Sequence, residues 1–323
     1  MKIVIAGGSG QIGLVLSRAL TGDGHDVVVL SRHPTSQGKW RSVGWDAATL
    51  GPWTTELDGA DAVINLAGRS VNCRYNAGNR RQIKESRVRS AQVVGQAIRA
   101  AKRPPRVWLQ MSTATIYAHR YDAANDEATG ILGGTEDDTP DTWRFSIDVA
   151  QSWERAASEM ETPDTRKVLL RTAMTMSPDA GGVFDVLLGL VRRGLGGSNG
   201  DGRQYVSWIH DHDFVRAIRW LMEHEIDGPV NLAAPDPLPN AEFMAALRKA
   251  WGIGFGLPAS RWMLEVGAIF LKTETELILK SRRVVPGRLL ASGFRFDFPT
   301  WPVAAAELCG RWRVAEMLPT TIR

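Results

Sequence analysis

The run Val4-Ile5-Ala6-Gly7-Gly8-Ser9-Gly10-Gln11-Ile12-Gly13 stands almost at the start of the chain and restricts its fold more than any other stretch. Apolar Ile3, Val4 and Ile5 read as a short buried strand. Beyond the glycines, Ile12, Val15, Leu16, Ala19 and Leu20 recur at helical spacing. A strand, a glycine turn and a helix N-terminus make an anion cradle, because unpaired backbone N–H groups and the positive end of the helix dipole face one point. Gly7 lets the turn tighten, Gly10 lets a pyrophosphate reach the backbone, and Gly13 lets helix and strand pack closely. The spacing is G-x-x-G-x-x-G rather than G-x-G-x-x-G. Its context still points to dinucleotide binding by Gly7, Ser9, Gly10, Gln11, Ile12 and Gly13, with an ordinary tight βα turn as the alternative.

Strand candidates at residues 3–6, 27–30, 62–66, 107–111, 168–171 and 230–232 alternate with amphipathic stretches. One such stretch is 84–101, with Val88, Ala91, Val94 and Ile98 on one side; another is 147–160. This rhythm predicts an α/β protein of Rossmann type, a doubly wound parallel sheet with helices on both faces. Ligands of such sheets bind at the carboxyl ends of the strands. After Arg171 the rhythm breaks into a glycine-rich stretch at 181–202, a helix at 214–225, a proline-rich turn at 235–239 and helices at 241–251 and 260–272. The expected division is a nucleotide-binding domain of residues 1–176 plus about 207–234, and a smaller, mainly helical C-terminal substrate lobe of 177–206 and 235–323.

Composition narrows the partners. A net charge of +4 over 323 residues is mild, and no Lys/Arg block with interleaved aromatics suggests nucleic acid. Two cysteines, Cys73 and Cys309, make neither a disulfide framework nor a zinc site, and no metal is expected. The longest apolar stretches, 183–191 and 263–271, are too short or too interrupted to span a bilayer. A first strand at residue 2 or 3 leaves no room for a signal peptide. A cytoplasmic protein acting on a small molecule is the expectation, with its oligomeric state open.

The residue ending the second strand chooses the dinucleotide, since an acid there would bind the ribose hydroxyls and repel a 2′-phosphate. Here Ser31 takes that place and Arg32 offers a planar fork suited to phosphate, so NADP (NADPH) is expected rather than NAD. A surface arginine is the plainer alternative. The next cofactor-side strand ends Asn65-Leu66-Ala67-Gly68, small enough at Leu66, Ala67 and Gly68 for close backbone approach. Asp46 faces adenine or serves as a turn carboxylate.

These residues resemble a known family. The chain is similar to atypical, extended short-chain dehydrogenase/reductases of the epimerase/dehydratase type with a distinctive C-terminal domain of DUF1731 type. The marks are Gly7 to Gly13, Asn65-Leu66-Ala67-Gly68, Glu85-Ser86-Arg87-Val88, Ser112-Thr113-Ala114 with Tyr117, Trp153-Glu154, Leu170-Arg171-Thr172, Trp208-Ile209-His210 and Arg283-Val284-Val285-Pro286. The resemblance implies a nucleotide-sugar-epimerase-like fold binding NADP(H), with Ser112 near the cofactor. It also implies a departure: aligned on Trp153-Glu154, Phe145 and Val149 stand where the family's Tyr-x-x-x-Lys pair would be.

Other groups must then handle a proton. The resemblance makes Thr113 the hydroxyl that orients a substrate oxygen and Tyr117 a phenol in the same region. His119, two residues on, has the right intrinsic acidity. Cys73 and Arg74, in the loop after the 62–66 strand, and Trp208 and His210 are candidate substrate contacts. Each has a structural alternative: a half-buried thiol, a surface cation, or residues preceding a helix that Asp211 or Asp213 caps. The leading expectation is an NADP(H)-dependent epimerase-like oxidoreductase lacking the usual pair. Its rival is a non-catalytic NADP(H)-binding sensor or regulatory protein.

Overall fold

The computed structural model describes residues 1–35, 38–136, 139–260, 263, 274 and 276–317. Two compact units emerge: residues 1–116, 133–172 and 215–230, and residues 117–132, 173–214 and 231–323. This division differs from the expected one. Residues 117–132 join the second unit, as do 173–176, 207–214 and 231–234.

The first unit is built on strands β1 (Lys2–Ala6), β2 (Asp26–Ser31), β3 (Arg41–Gly44), β4 (Ala62–Asn65), β5 (Val107–Thr113) and β6 (Arg166–Thr172), with helices α1 (Gln11–Gly22), α2 (Ala77–Ala100) and α3 (Asp141–Ser158). With a later strand, Gly228–Leu232, they form one seven-stranded sheet in the order 228–232, β6, β5, β4, β1, β2, β3. Every pairing from β3 to β6 is parallel. Strand order reverses at β1, flanked by β2 and β4, so the crevice for a ligand opens where the glycine run begins. β1 and β2 are apolar without alternation because helices cover both faces. Val4, Val28, Val63, Trp108, Val94, Ile98 and Trp153 lie in one buried cluster.

The edge strand β3 was not among the expected strands. Its Arg41-Ser42-Val43-Gly44 is nowhere fully buried, so no apolar run announces it. Helix α2 starts seven residues earlier than its apolar stripe, because the Asn76 side chain accepts the Asn79 N–H and caps it.

The second unit has its own core, in which Phe184, Leu188, Trp208, Phe243, Leu247, Trp301, Leu308 and Trp312 are buried together. Its helices Val183–Arg192, Asn240–Trp251 and Trp301–Met317 dominate, accompanied by two small two-stranded sheets. The helix expected at 260–272 lies, apart from residues 260 and 263, outside the described residues. The helix Asp211–Glu223 includes both acids in its first turn, where Asp211 accepts the His212 N–H at 2.9 Å. Asp213 instead accepts the N–H groups of Asp297 and Phe298, and Asp211 pairs with Arg311. Among the described residues no helix is long and apolar enough to cross a membrane.

Candidate functional site

At the end of β1 the chain turns through Gly7, whose φ of +75° is left-handed. A Cβ there would lie 2.7 Å from the Ala67 Cα, so Gly7 is demanded by both conformation and contact. Gly13 is demanded by contact alone, because its Cβ would fall 2.3 Å from the Gly8 carbonyl oxygen. Gly10 differs. Its nearest atom would be 4.0 Å away, so nothing in the protein requires a glycine there. Gly10 precedes α1 in extended conformation, with no side-chain cap and no acid in the helix's first turn. The amide end of a twelve-residue helix is thus presented to open space.

That space is a cavity of about 490 Å³. Gly7, Ser9 and Gly10 form one wall, Ser31, Arg32 and residues 45–48 a second, and Leu66, Ala67, Gly68 and Arg69 a third. Gln82, Glu85, Ser86 and Arg89 of α2 complete it. All of these belong to the first unit. Of the residues expected at a cofactor, Gln11, Ile12, Gly13 and Ser112 are not on its walls: Gly13 is packed on Gly8, and Ser112 donates to Glu154 at 2.6 Å.

Each wall is held from behind. Ser31 closes its own turn, donating to the His33 carbonyl and accepting the His33 N–H, both at 3.1 Å. Arg32, exposed beside it, has no hydrogen-bonding or ionic partner among the described residues. The Leu66–Gly68 wall rests on a buried amide network. Asn65 donates to Gln110 at 2.9 Å and accepts the Ala67 N–H, while Ser90 donates to the Ala67 carbonyl. Asp46 is a turn carboxylate: it accepts from Thr49 and Ala48, and these bonds hold it below the usual carboxylate range.

Helix α3 carries neither tyrosine nor lysine at any position. Phe145 packs edge-on against Tyr75, and Val149 is buried with Tyr75 and Ile83. The carboxylate of Glu154 on this helix receives a buried Arg171 through two bonds of 2.8 and 2.9 Å, and Ser112 as well. Thr113 is half-buried at the end of β5, its hydroxyl accepting the Thr115 N–H. Cys73 is half-buried, with its thiol over the Ser70 carbonyl at 3.9 Å, and Arg74 is exposed.

Tyr117 and His119 belong to the second unit. The buried Tyr117 hydroxyl donates to Asn231 at 2.9 Å. His119 Nδ1 accepts the Ser281 N–H at 2.8 Å, which in the neutral ring leaves the proton on Nε2. Trp208 is fully buried against Trp301. His210, stacked on Phe298, bonds Glu307 at 2.8 Å, and burial pushes it below its usual value against the pull of Asp211 and Glu307. Packing and an ion network therefore account for Trp208 and His210, in place of the substrate contacts expected of them. His212, Asp213 and Asp297 bring one possible metal ligand each within 4.8 Å, but the Asp213 carboxylate is already occupied by two backbone N–H groups.

Sequence reading gave Trp45, Arg69, Gln82 and Arg89 no place at the cavity, and singled out Glu85 and Ser86 only as part of a family mark without a role. Four of them sit on or just before α2, whose polar side carries no loop signature.

Residues 3–233 match the family described as NAD dependent epimerase/dehydratase, and residues 259–308 match a domain of unknown function, DUF1731. Epimerase family protein SDR39U1 of Bos taurus is 31% identical over 95% of this chain and 99% of its own length. Epimerase family protein YfhF of Bacillus subtilis is 29% identical over 95% and 98%. The crystal structure of human SDR39U1 (isoform 2) with NADPH superposes with a TM-score of 0.82 at 29% identity, covering 96% of this chain and 99% of that one.

Proposed function

The chain belongs to the NAD dependent epimerase/dehydratase family, and from that premise we propose that it binds NADP(H) in the cavity at Gly10 and Arg32 and works as an epimerase-like oxidoreductase on a small molecule. The observation that carries the cofactor is the pairing of open space over Gly10 with an arginine at the cavity wall that no described residue engages. The amide end of α1 would receive the pyrophosphate, and Arg32 a 2′-phosphate. The relative crystallised with NADPH supports the same choice.

The dinucleotide supplies or accepts a hydride; the protein must orient substrate and move a proton. With neither tyrosine nor lysine on α3, the hydroxyl of Thr113 orients the substrate oxygen. Within the second unit taken by itself, His119 has the acidity for proton transfer, whereas the Tyr117 hydroxyl is buried on Asn231. The two free thiols, Cys73 and Cys309, suit a reducing compartment such as the cytoplasm.

Titration of the wild type and Arg32→Ala with NADPH and NADH, read by nicotinamide fluorescence, tests the cofactor assignment. NADPH should bind the wild type at least about tenfold more tightly than NADH, a difference of about 1.4 kcal/mol, and the variant should lose that preference. Equal affinities, unchanged by the substitution, would sink it.

A further inference from the structure

Arg87 is a half-buried cation that the fold alone does not explain. Its guanidinium lies 5.0 Å over the Trp153 ring, and one terminal nitrogen donates to the carbonyls of Arg69 and Ile83 at 2.9 and 3.0 Å. Among the described residues no carboxylate pairs with it. Burial pushes it down to about 10, and the Tyr75 phenol alone pulls the other way. A cation taken from water without a counter-ion is costly, and proteins keep such groups where an anion is to be met. Arg171 shows the contrast, since it is buried and is held by Glu154.

The position of Arg87 names the anion. A Cβ on Gly68 would lie 3.1 Å from both Cγ and Cζ of Arg87, so the charge rests directly behind Gly68. Gly68 is a wall of the cavity, and Arg69, whose carbonyl Arg87 holds, is the next wall residue. We infer that Arg87 is a positioning residue for the phosphates of the bound dinucleotide: it fixes the Gly68–Arg69 wall and supplies a permanent positive charge one residue behind it. This rests on the cavity's being the NADP(H) site.

A purely structural arginine and a charge kept for an anion respond in opposite ways to Arg87→Met, which keeps the bulk and removes the charge. NADPH affinity and unliganded melting temperature should be measured for wild type, Arg87→Met and Arg87→Lys. The expected result is a loss of affinity of about tenfold or more in the Met variant, no fall in its melting temperature, and affinity within about threefold of wild type in the Lys variant. Equal NADPH affinity in wild type and Arg87→Met overturns the inference alone. So does a Met variant whose weaker binding comes with a melting temperature lowered by more than about 5 °C. Should Arg87→Met fail to fold, Arg87→Gln against Arg87→Lys decides: tighter binding by Lys supports the charge, and equal binding overturns it. A wild type that binds neither NADPH nor NADH overturns the reading of the cavity, and this inference with it.

Discussion

Three glycines in one turn are there for different reasons. Gly7 and Gly13 answer to the protein, the first to its φ and to Ala67, the second to Gly8; Gly10 answers only to what occupies the cavity. Gly10→Ala should therefore leave the melting temperature within about 2 °C of wild type while weakening NADPH binding by about tenfold or more. Gly13→Ala should destabilise the protein by about 2 kcal/mol or more, because a methyl 2.3 Å from a carbonyl oxygen forces backbone to move. Thermal melts and NADPH titrations of the two variants separate these outcomes. The glycine spacing was legible in the sequence; the distinction between steric demand and vacancy was not, because it depends on Ala67, sixty residues away.

At the level of elements, apolar periodicity announced β1, β2, β4, β5, β6 and most of α2 and α3. The failures share a cause. β3 and the two-residue and three-residue strands of the second unit bury too few side chains for a pattern, and their existence follows from pairing with distant segments. The α2 side of the cavity was hidden similarly, since Gln82, Glu85 and Arg89 are polar helix residues to which no motif assigns a ligand. The α3–β6 contact yields its own prediction. Glu154→Ala would strand Arg171 in the interior, costing about 3–5 kcal/mol in urea denaturation, whereas Arg171→Met with Glu154→Leu should recover much of that loss.

For the molecule as a whole, a dinucleotide that binds only the folded chain should stabilise it by about 2.7 kcal/mol at a hundred times its dissociation constant, measured as a shift in urea midpoint. Acidity acts from the second unit. Glu127 accepts the N–H groups of Asn231 and Arg288, yet burial outweighs these bonds and raises its carboxyl above the ordinary 4.5. A carboxyl raised on folding contributes stability that is complete below its unfolded value and is lost as pH climbs through the folded one. The melting temperature of wild type relative to Glu127→Gln should thus be highest below pH 4.5 and fall as pH rises above it; a flat difference would show that Glu127 is not the group responsible.

Helix α3 carries a final consequence, for redesign rather than mechanism. Val149, where the sequence resemblance would set a lysine, is enclosed by Ile83 and Tyr75, and the same helix has committed Glu154 to Arg171. Placing a lysine at 149 would set an ammonium among apolar neighbours, where it would shed its proton or disrupt the packing. Position 149 is therefore closed to a cation by the packing around it, and admitting one would require its neighbours on α2 and the loop before it to change as well.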